Sequence, residues 1–213
     1  MLCDDWGGRI LLYSNYLRVI DENAGMLCGI SDAIWDEPEL GFREFKAVEL
    51  LTEQLREKGF TLQENLAGVP TAFAATFGSG KPHLGILAEY DALSGLSQVG
   101  EIAEKREIPG KDIAHGCGHN LFAAGSLAAA LAVKAYIEES GLGSVTLFGC
   151  PAEEGGAGKV FMARAGVFRD IDAVVSWHPE KMYMVRTRPA LANVKVDYSF
   201  EGVASHTGAS PEK

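Results

Sequence analysis

Residues 120–160 read NLFAAGSLAAALAVKAYIEESGLGSVTLFGCPAEEGGAGKV, and their order decides the fold. Asn120 to Ser140 is rich in alanine and leucine and has no proline, which predicts a helix. Ser144 to Gly149 is a short apolar run, the pattern of a buried strand. Gly156 to Ala165 returns to helix, and Asp172 to Trp177 is a second apolar strand. Strand and helix alternate, so the expectation is an α/β fold with parallel neighbouring strands flanked by helices.

Upstream, apolar residues at Leu12, Tyr16, Val19, Ile20, Leu27, Ile30 and Ile34 fall mostly three or four apart. That spacing predicts one helix over about 11–35, closed by Pro38 and Gly41. A second helix over about 43–58 carries Phe45, Val48, Leu51 and Leu55 on one stripe, with Gly59 as its left-handed cap. Short strands follow at about 60–66, 71–77 and 82–90, with Gly78-Ser79-Gly80-Lys81 turning between the last two, as in a hairpin feeding a core strand. The polar segment 94–113 predicts a long loop of the kind that carries function. Downstream, Leu191 to Gly202 alternates, with Val194, Val196, Tyr198 and Phe200 on one face of a half-exposed strand. This change of pattern predicts the start of a second domain in a chain that breaks off soon after.

Composition narrows the function classes. Of 213 residues, 47% are hydrophobic and 23% charged, an ordinary globular balance. Nineteen basic against twenty-nine acidic residues leave a net charge of −10, which argues against a nucleic-acid or anionic-membrane partner. Four scattered cysteines, Cys3, Cys28, Cys117 and Cys150, point to a reducing compartment rather than a disulfide scaffold. The start lacks the pattern of a signal peptide, and no apolar run reaches the eighteen residues of a membrane span, so the expectation is a cytoplasmic protein.

The chemistry-bearing residues fall just past the expected strand ends, where open α/β sheets form their binding crevice. Glu89 and Asp91 follow one strand, Glu153 and Glu154 a second, and His178 a third. His115-Gly116-Cys117-Gly118-His119-Asn120 leads into the long helix. Cys117 and His119, separated by one glycine, can turn toward one borderline-soft divalent cation. They can equally be a buried cysteine beside a hydrogen-bonded histidine, or a nucleophile with its base. At a strand-to-helix turn the neighbours Glu153 and Glu154 point apart, so one carboxylate can hold a metal while the other moves a proton. They can also simply complement a helix dipole. Asp91 reads either as a carboxylate that orients a ligand or as a loop cap. His178 alone reads as a core histidine, and His206 as a surface residue or one that reaches over a cleft. Gly155-Gly156-Ala157-Gly158-Lys159 misses the spacing and hydroxyl residue of a phosphate loop.

Together, Leu87-Ala88-Glu89-Tyr90-Asp91-Ala92-Leu93, the Cys117–His119 segment, Cys150-Pro151-Ala152-Glu153-Glu154-Gly155-Gly156, Trp177-His178-Pro179-Glu180 and Ser205-His206 resemble the M20 metallopeptidase and aminoacylase family, in its amidohydrolase branch. The resemblance implies a zinc-peptidase-like, mixed and largely parallel sheet flanked by helices. Residues 1–188 would be the first part of the catalytic domain, and 189–213 the first elements of an α+β lid or dimerisation domain. It further implies two divalent ions, zinc or manganese, held by Cys117, His119, Glu154 and His178. Glu153 would be general base and acid, His206 the lid histidine that holds the substrate carbonyl, and Asp91 the buttress of a ligand. The implied reaction is hydrolysis of an amide bond in an N-acyl amino acid or a dipeptide such as p-aminobenzoyl-glutamate, by a homodimer or a heteromer with a related subunit. Two other readings stand beside it: a metal-binding module that needs a missing half or a partner, and a hydrolase using the Cys117 thiol.

Overall fold

The computed structural model describes residues 6–185, 191, 192, 194, 196–206, 208 and 209, with side chains from Tyr13 onward. These fall into two compact units that divide between Lys181 and Met182, and every element named below lies in the first. In chain order they are α1 (Trp6–Glu22), α2 (Ala24–Asp36), α3 (Phe45–Glu57), β1 (Thr61–Glu64), β2 (Phe73–Gly78), β3 (His83–Ala88), β4 (Leu93–Ser94), β5 (Ile113–Ala114), α4 (His119–Ser140), β6 (Ser144–Gly149), α5 (Gly158–Arg164) and β7 (Ala173–Val175).

The single helix expected over 11–35 is two. Asn23 breaks it, because its side-chain amide donates to the carbonyl of Val19 at 2.7 Å and so competes with the backbone for the acceptor that a continuous helix uses. Lys58 then holds the Asn23 side-chain oxygen at 2.7 Å. Gly59 takes the expected left-handed conformation after α3, with φ 83°. The start of α3 is capped from outside, since the Glu39 carboxylate accepts the amides of Lys46 and Ala47 at 2.9 and 3.0 Å.

The main sheet has the order β1-β2-β6-β3-β7, while β4 and β5 pair across the base of the 94–113 loop. β3 runs parallel to both β6 and β7, and β2 runs antiparallel to β1 and β6. The hairpin is therefore β1–β2, and the turn at 78–81 joins two strands that are not neighbours. Its glycines explain the insertion of β6 between them. The Gly80 amide donates to the Gly143 carbonyl, and a Cβ on Gly78 would come within 2.7 Å of that same oxygen, so the turn closes directly over the start of β6.

Alternation along the strands builds two apolar layers. Phe73, Ala75, Ile86, Ala88, Val145 and Leu147 join residues of the helices on one face, including Leu51, Leu55 and Leu127. Ala74 and Phe148 meet Met162 of α5 on the other. Helix α4 lies against β3 and β6. By length and apolarity it could cross a membrane, which a count of unbroken apolar runs misses, yet 56% of that stretch is buried inside the fold. Its Ser126 hydroxyl donates to the Leu87 carbonyl at 2.7 Å, tying the helix to the strand that feeds the site.

In the second unit, the strand expected over Leu191 to Gly202 does not form among its described residues. Leu191, Val194, Val196, Tyr198 and Phe200 are all exposed. Apolar alternation becomes a strand only where a neighbour completes the ladder of hydrogen bonds, and among the described residues none does.

Candidate metal centre

The parallel pairing of β3 with β6 brings the site together. Ala88 is level with Gly149, and the Cys150 amide donates to the Ala88 carbonyl at 2.8 Å, so residues 89–91 and 151–154 leave the sheet side by side. β7, parallel on the other side of β3, delivers His178. Helix α4 begins at the same edge, with Gly118 in the left-handed region (φ 80°) and His119 as its first residue.

Six predicted residues and Glu89 meet here. The Nδ1 atom of the fully buried His119 lies 3.0 Å from both the backbone carbonyl and Oδ1 of Asp91. A carbonyl only accepts, so Nδ1 carries a proton and Nε2 is the ring atom left to face the carboxylates. By the same argument His178 donates from Nδ1 to the Pro179 carbonyl at 2.8 Å, leaving its Nε2 facing the Cys117 sulfur at 3.4 Å. The ligand atoms of Cys117, His119 and His178 lie within 4.8 Å of one another, and so do those of Glu89, His119 and Glu153. From His119 Nε2 the nearest carboxylate oxygens of Glu89, Glu153 and Glu154 are at 3.2, 3.9 and 4.0 Å. The seventh, Asp91, accepts the Glu154 amide on Oδ2 at 2.9 Å.

Three carboxylates gathered around one imidazole nitrogen call for positive charge between them, either a proton on Nε2 or a bound cation. His119 Nε2 and Glu154 Oε1 are both buried without a hydrogen-bond partner, and a thiol, two imidazole nitrogens and carboxylates are the donor set of a borderline divalent metal. The residues fit such an ion.

The electrostatics point the same way. Burial first, then Glu154, Glu153 and Glu89, push the Cys117 thiol up to about 12. A nucleophilic cysteine needs the opposite shift, whereas a bound cation would deprotonate this thiol outright. Burial also raises Asp91, but the His119 hydrogen bond and the Glu154 amide outweigh it and leave the carboxyl below its usual value. Desolvation would lower His119, and Asp91 and then Glu89 outweigh that and raise it.

Trp177 seats His178. Its indole donates to the Ser126 hydroxyl at 3.2 Å, and its ring lies where a Cβ on Gly125 would be only 2.5 Å away. Ala152 and Ala157 bracket the glutamate turn, both in the left-handed region with φ 55° and 54°. His206 lies in the second unit, exposed, its Nδ1 accepting the Gly208 amide at 3.2 Å. His83 is structural, its Nε2 2.7 Å from the Thr146 hydroxyl.

Sequence reasoning assigned no role to Glu89 or Lys159. The structure pairs them in a direct ion contact, with Glu89 buried and beside His119. The only signal was that glutamate's position at a strand end. A cavity of about 650 Å³ lies elsewhere, between the end of α2 and the 94–113 loop, lined by Trp35, Val99, Ile102 and Ile113, and none of the residues above lines it.

With this geometry in hand, comparison with known proteins is specific. Residues 85–210 match the model of Peptidase family M20/M25/M40. A subunit of the p-aminobenzoyl-glutamate hydrolase of Escherichia coli K12 is 46% identical over 183 residues, 85% of this chain and 38% of that protein. The human Xaa-Arg dipeptidase is 34% identical over 94% of this chain and 46% of its own length. A dinuclear metal-binding peptidase of family M20 from Bacillus subtilis superposes with a TM-score of 0.61 at 25% identity, covering 72% of this chain and 42% of that one. The chain thus spans less than half the length of these relatives.

Proposed function

The chain belongs to Peptidase family M20/M25/M40, and on that footing we propose that it supplies the metal-holding part of a hydrolase that cleaves the amide bond of an N-acyl amino acid or dipeptide. The favoured substrate is p-aminobenzoyl-glutamate, because the 46% identical relative is named for that activity. One observation carries the reading: His119 Nε2 and Glu154 Oε1 are buried without a hydrogen-bond partner in the midst of Cys117, His178, Glu153 and Glu89.

In this reading Cys117, His119, Glu154 and His178 hold two divalent ions, zinc or manganese. When bound, the ions supply Lewis acidity toward the scissile carbonyl and the attacking water. Glu153, its side chain 41% exposed against 20% for Glu154, is the carboxylate free to take the proton of that water and pass it to the leaving amine. Asp91 fixes the tautomer and plane of His119 through one oxygen and the backbone of Glu154 through the other. His206 is assigned to the substrate carbonyl on the family resemblance. The relative's designation as a subunit supports assembly with a related chain, or with a second copy. A reducing, cytoplasmic setting is proposed on the scattered cysteines of the sequence.

The test is metal content of the purified chain by mass spectrometry alongside release of p-aminobenzoate, for the wild type, His119→Ala, Glu154→Ala and Glu153→Gln. The expected result is metal lost in the first two variants and kept in Glu153→Gln, with hydrolysis down by about 10²–10⁴. Metal binding without product in the wild type would favour the second reading, a metal-binding part that needs further chain or a partner. No metal bound with zinc and manganese supplied would overturn both.

A further inference from the structure

Glu44 is a carboxylate that none of the chemistry above uses, yet it is fully buried. Oε1 accepts the Ala152 amide at 2.7 Å, and Oε2 has no hydrogen-bond partner. Burial pushes its carboxyl up, with the backbone amides around it pulling the other way. A half-satisfied buried carboxylate is costly, and an apolar residue would fill the space without that cost. What it holds explains its presence. Ala152 immediately precedes Glu153 and sits in the left-handed region, which an alanine keeps only when its surroundings impose it.

The segment before Glu44 braces the same turn and the loop beside it. The Ala92 amide donates to the Glu39 carbonyl at 2.8 Å, and Leu40 bridges Ala92 in parallel, next to Asp91. A Cβ on Gly41 would sit 2.8 Å from the Ala152 Cβ, so this glycine is what lets the two backbones touch. Phe42 closes over Gly156, where a Cβ would be 2.3 Å from its ring, and meets Phe161 edge-on.

We infer that Glu44 is a positioning residue: through the Ala152 amide it fixes the step from which Glu153 and Glu154 project, and residues 39–44 lock that step to the Asp91 loop. The inference rests on the roles given to Glu153 and Glu154 under the proposed function.

The experiment uses the full chain with Glu44→Gln, which keeps an oxygen acceptor, and Glu44→Asp, which withdraws it by one methylene. In the metal-free protein, amide ¹⁵N–¹H shifts of residues 152–156 report the turn directly. Cobalt titration, read by visible absorption, reports the ligand set. Glu44→Gln is expected to match the wild type within about twofold in cobalt affinity. Glu44→Asp is expected to move the turn's amide shifts and weaken cobalt binding by about 10–100-fold. In the hydrolysis assay it should lower kcat more than it changes KM. Gly41→Ala presses on the same turn from the other side and should give the same displaced spectrum even if Glu44→Asp does not fold. A Glu44→Asp protein with lower Tm but wild-type turn shifts and cobalt spectrum would reduce Glu44 to a packing residue and overturn the inference. Failure of the wild type to bind cobalt at all would instead sink the proposed function, leaving the amide shifts to decide the role of Glu44.

Discussion

Asp91 Oδ1 lies 3.0 Å from His119 Nδ1, and both side chains are almost wholly buried. The other Asp91 oxygen takes the Glu154 amide, so one carboxylate sets two of the residues assigned to the metal. Asp91→Asn replaces one acceptor oxygen with a donor, which must then face either the His119 N–H or the Glu154 N–H. Zinc affinity, measured by chelator competition, is expected to fall by about 10–100-fold, with the fold intact by circular dichroism. An unchanged affinity would make Asp91 a bystander.

His115 is buried with both ring nitrogens unpartnered, and desolvation followed by the charge of His119 lowers it to about 4 from 6.5. Above pH 6.5 the folded and unfolded chains both hold it neutral. Between pH 6.5 and 4 the unfolded chain binds a proton that the fold refuses, so stability drops as the solution is acidified. In His115→Leu that part of the acid limb should flatten. Urea midpoints at pH 7, 5.5 and 4.5 give the comparison, and parallel limbs in both proteins would contradict it.

Gly125→Ala adds a methyl group 2.5 Å from the Trp177 ring. Alanine is the better helix former, so α4 should persist while Trp177 and His178 are displaced, and metal stoichiometry should drop. Gly29 in α2 has open space around it, and Gly29→Ala should raise stability by about 0.5–1 kcal/mol with metal content unaltered. If the two substitutions behave alike in metal binding, Trp177 does not seat His178.

Leu127 is fully buried where α4 meets the sheet. Leu127→Ala should cost about 2–5 kcal/mol in denaturant unfolding. A loss below about 1 kcal/mol would mean that α4 packs far more loosely than its contacts with β3 and β6 indicate.

Legibility of the sequence followed the range of the interaction. The strand at Ser144–Gly149 and the helix beginning beside Asn120 could be read directly, because burial on both faces and an alanine-rich run are local patterns. Glu153, Glu154 and His178 stood out for a related reason, since α/β sheets put their sites past strand ends and these residues follow β6 and β7 by three to five positions, whereas Cys117 and His119 stood out by their spacing ahead of α4. The break at Asn23 was hidden, since an asparagine on a polar face reads the same whether or not its amide turns back on Val19. The order of the strands was hidden too, because a glycine turn announces a reversal without naming the neighbour. Glu44 lay furthest from view, its partner Ala152 being 108 residues away and its own position indistinguishable from an ordinary helix start. At Leu191 to Gly202 the pattern was clear and no strand follows among the described residues, because alternation describes one face and says nothing of the pairing edge.

The left-handed alanines at 152 and 157 hold backbone conformations that their own side chains disfavour. Each costs about 1–2 kcal/mol that a glycine would not. Glycine at either position would remove that cost but would also free the backbone on each side of the step from which Glu153 and Glu154 project, so the shape of this turn is held by what packs around it rather than by its own residues.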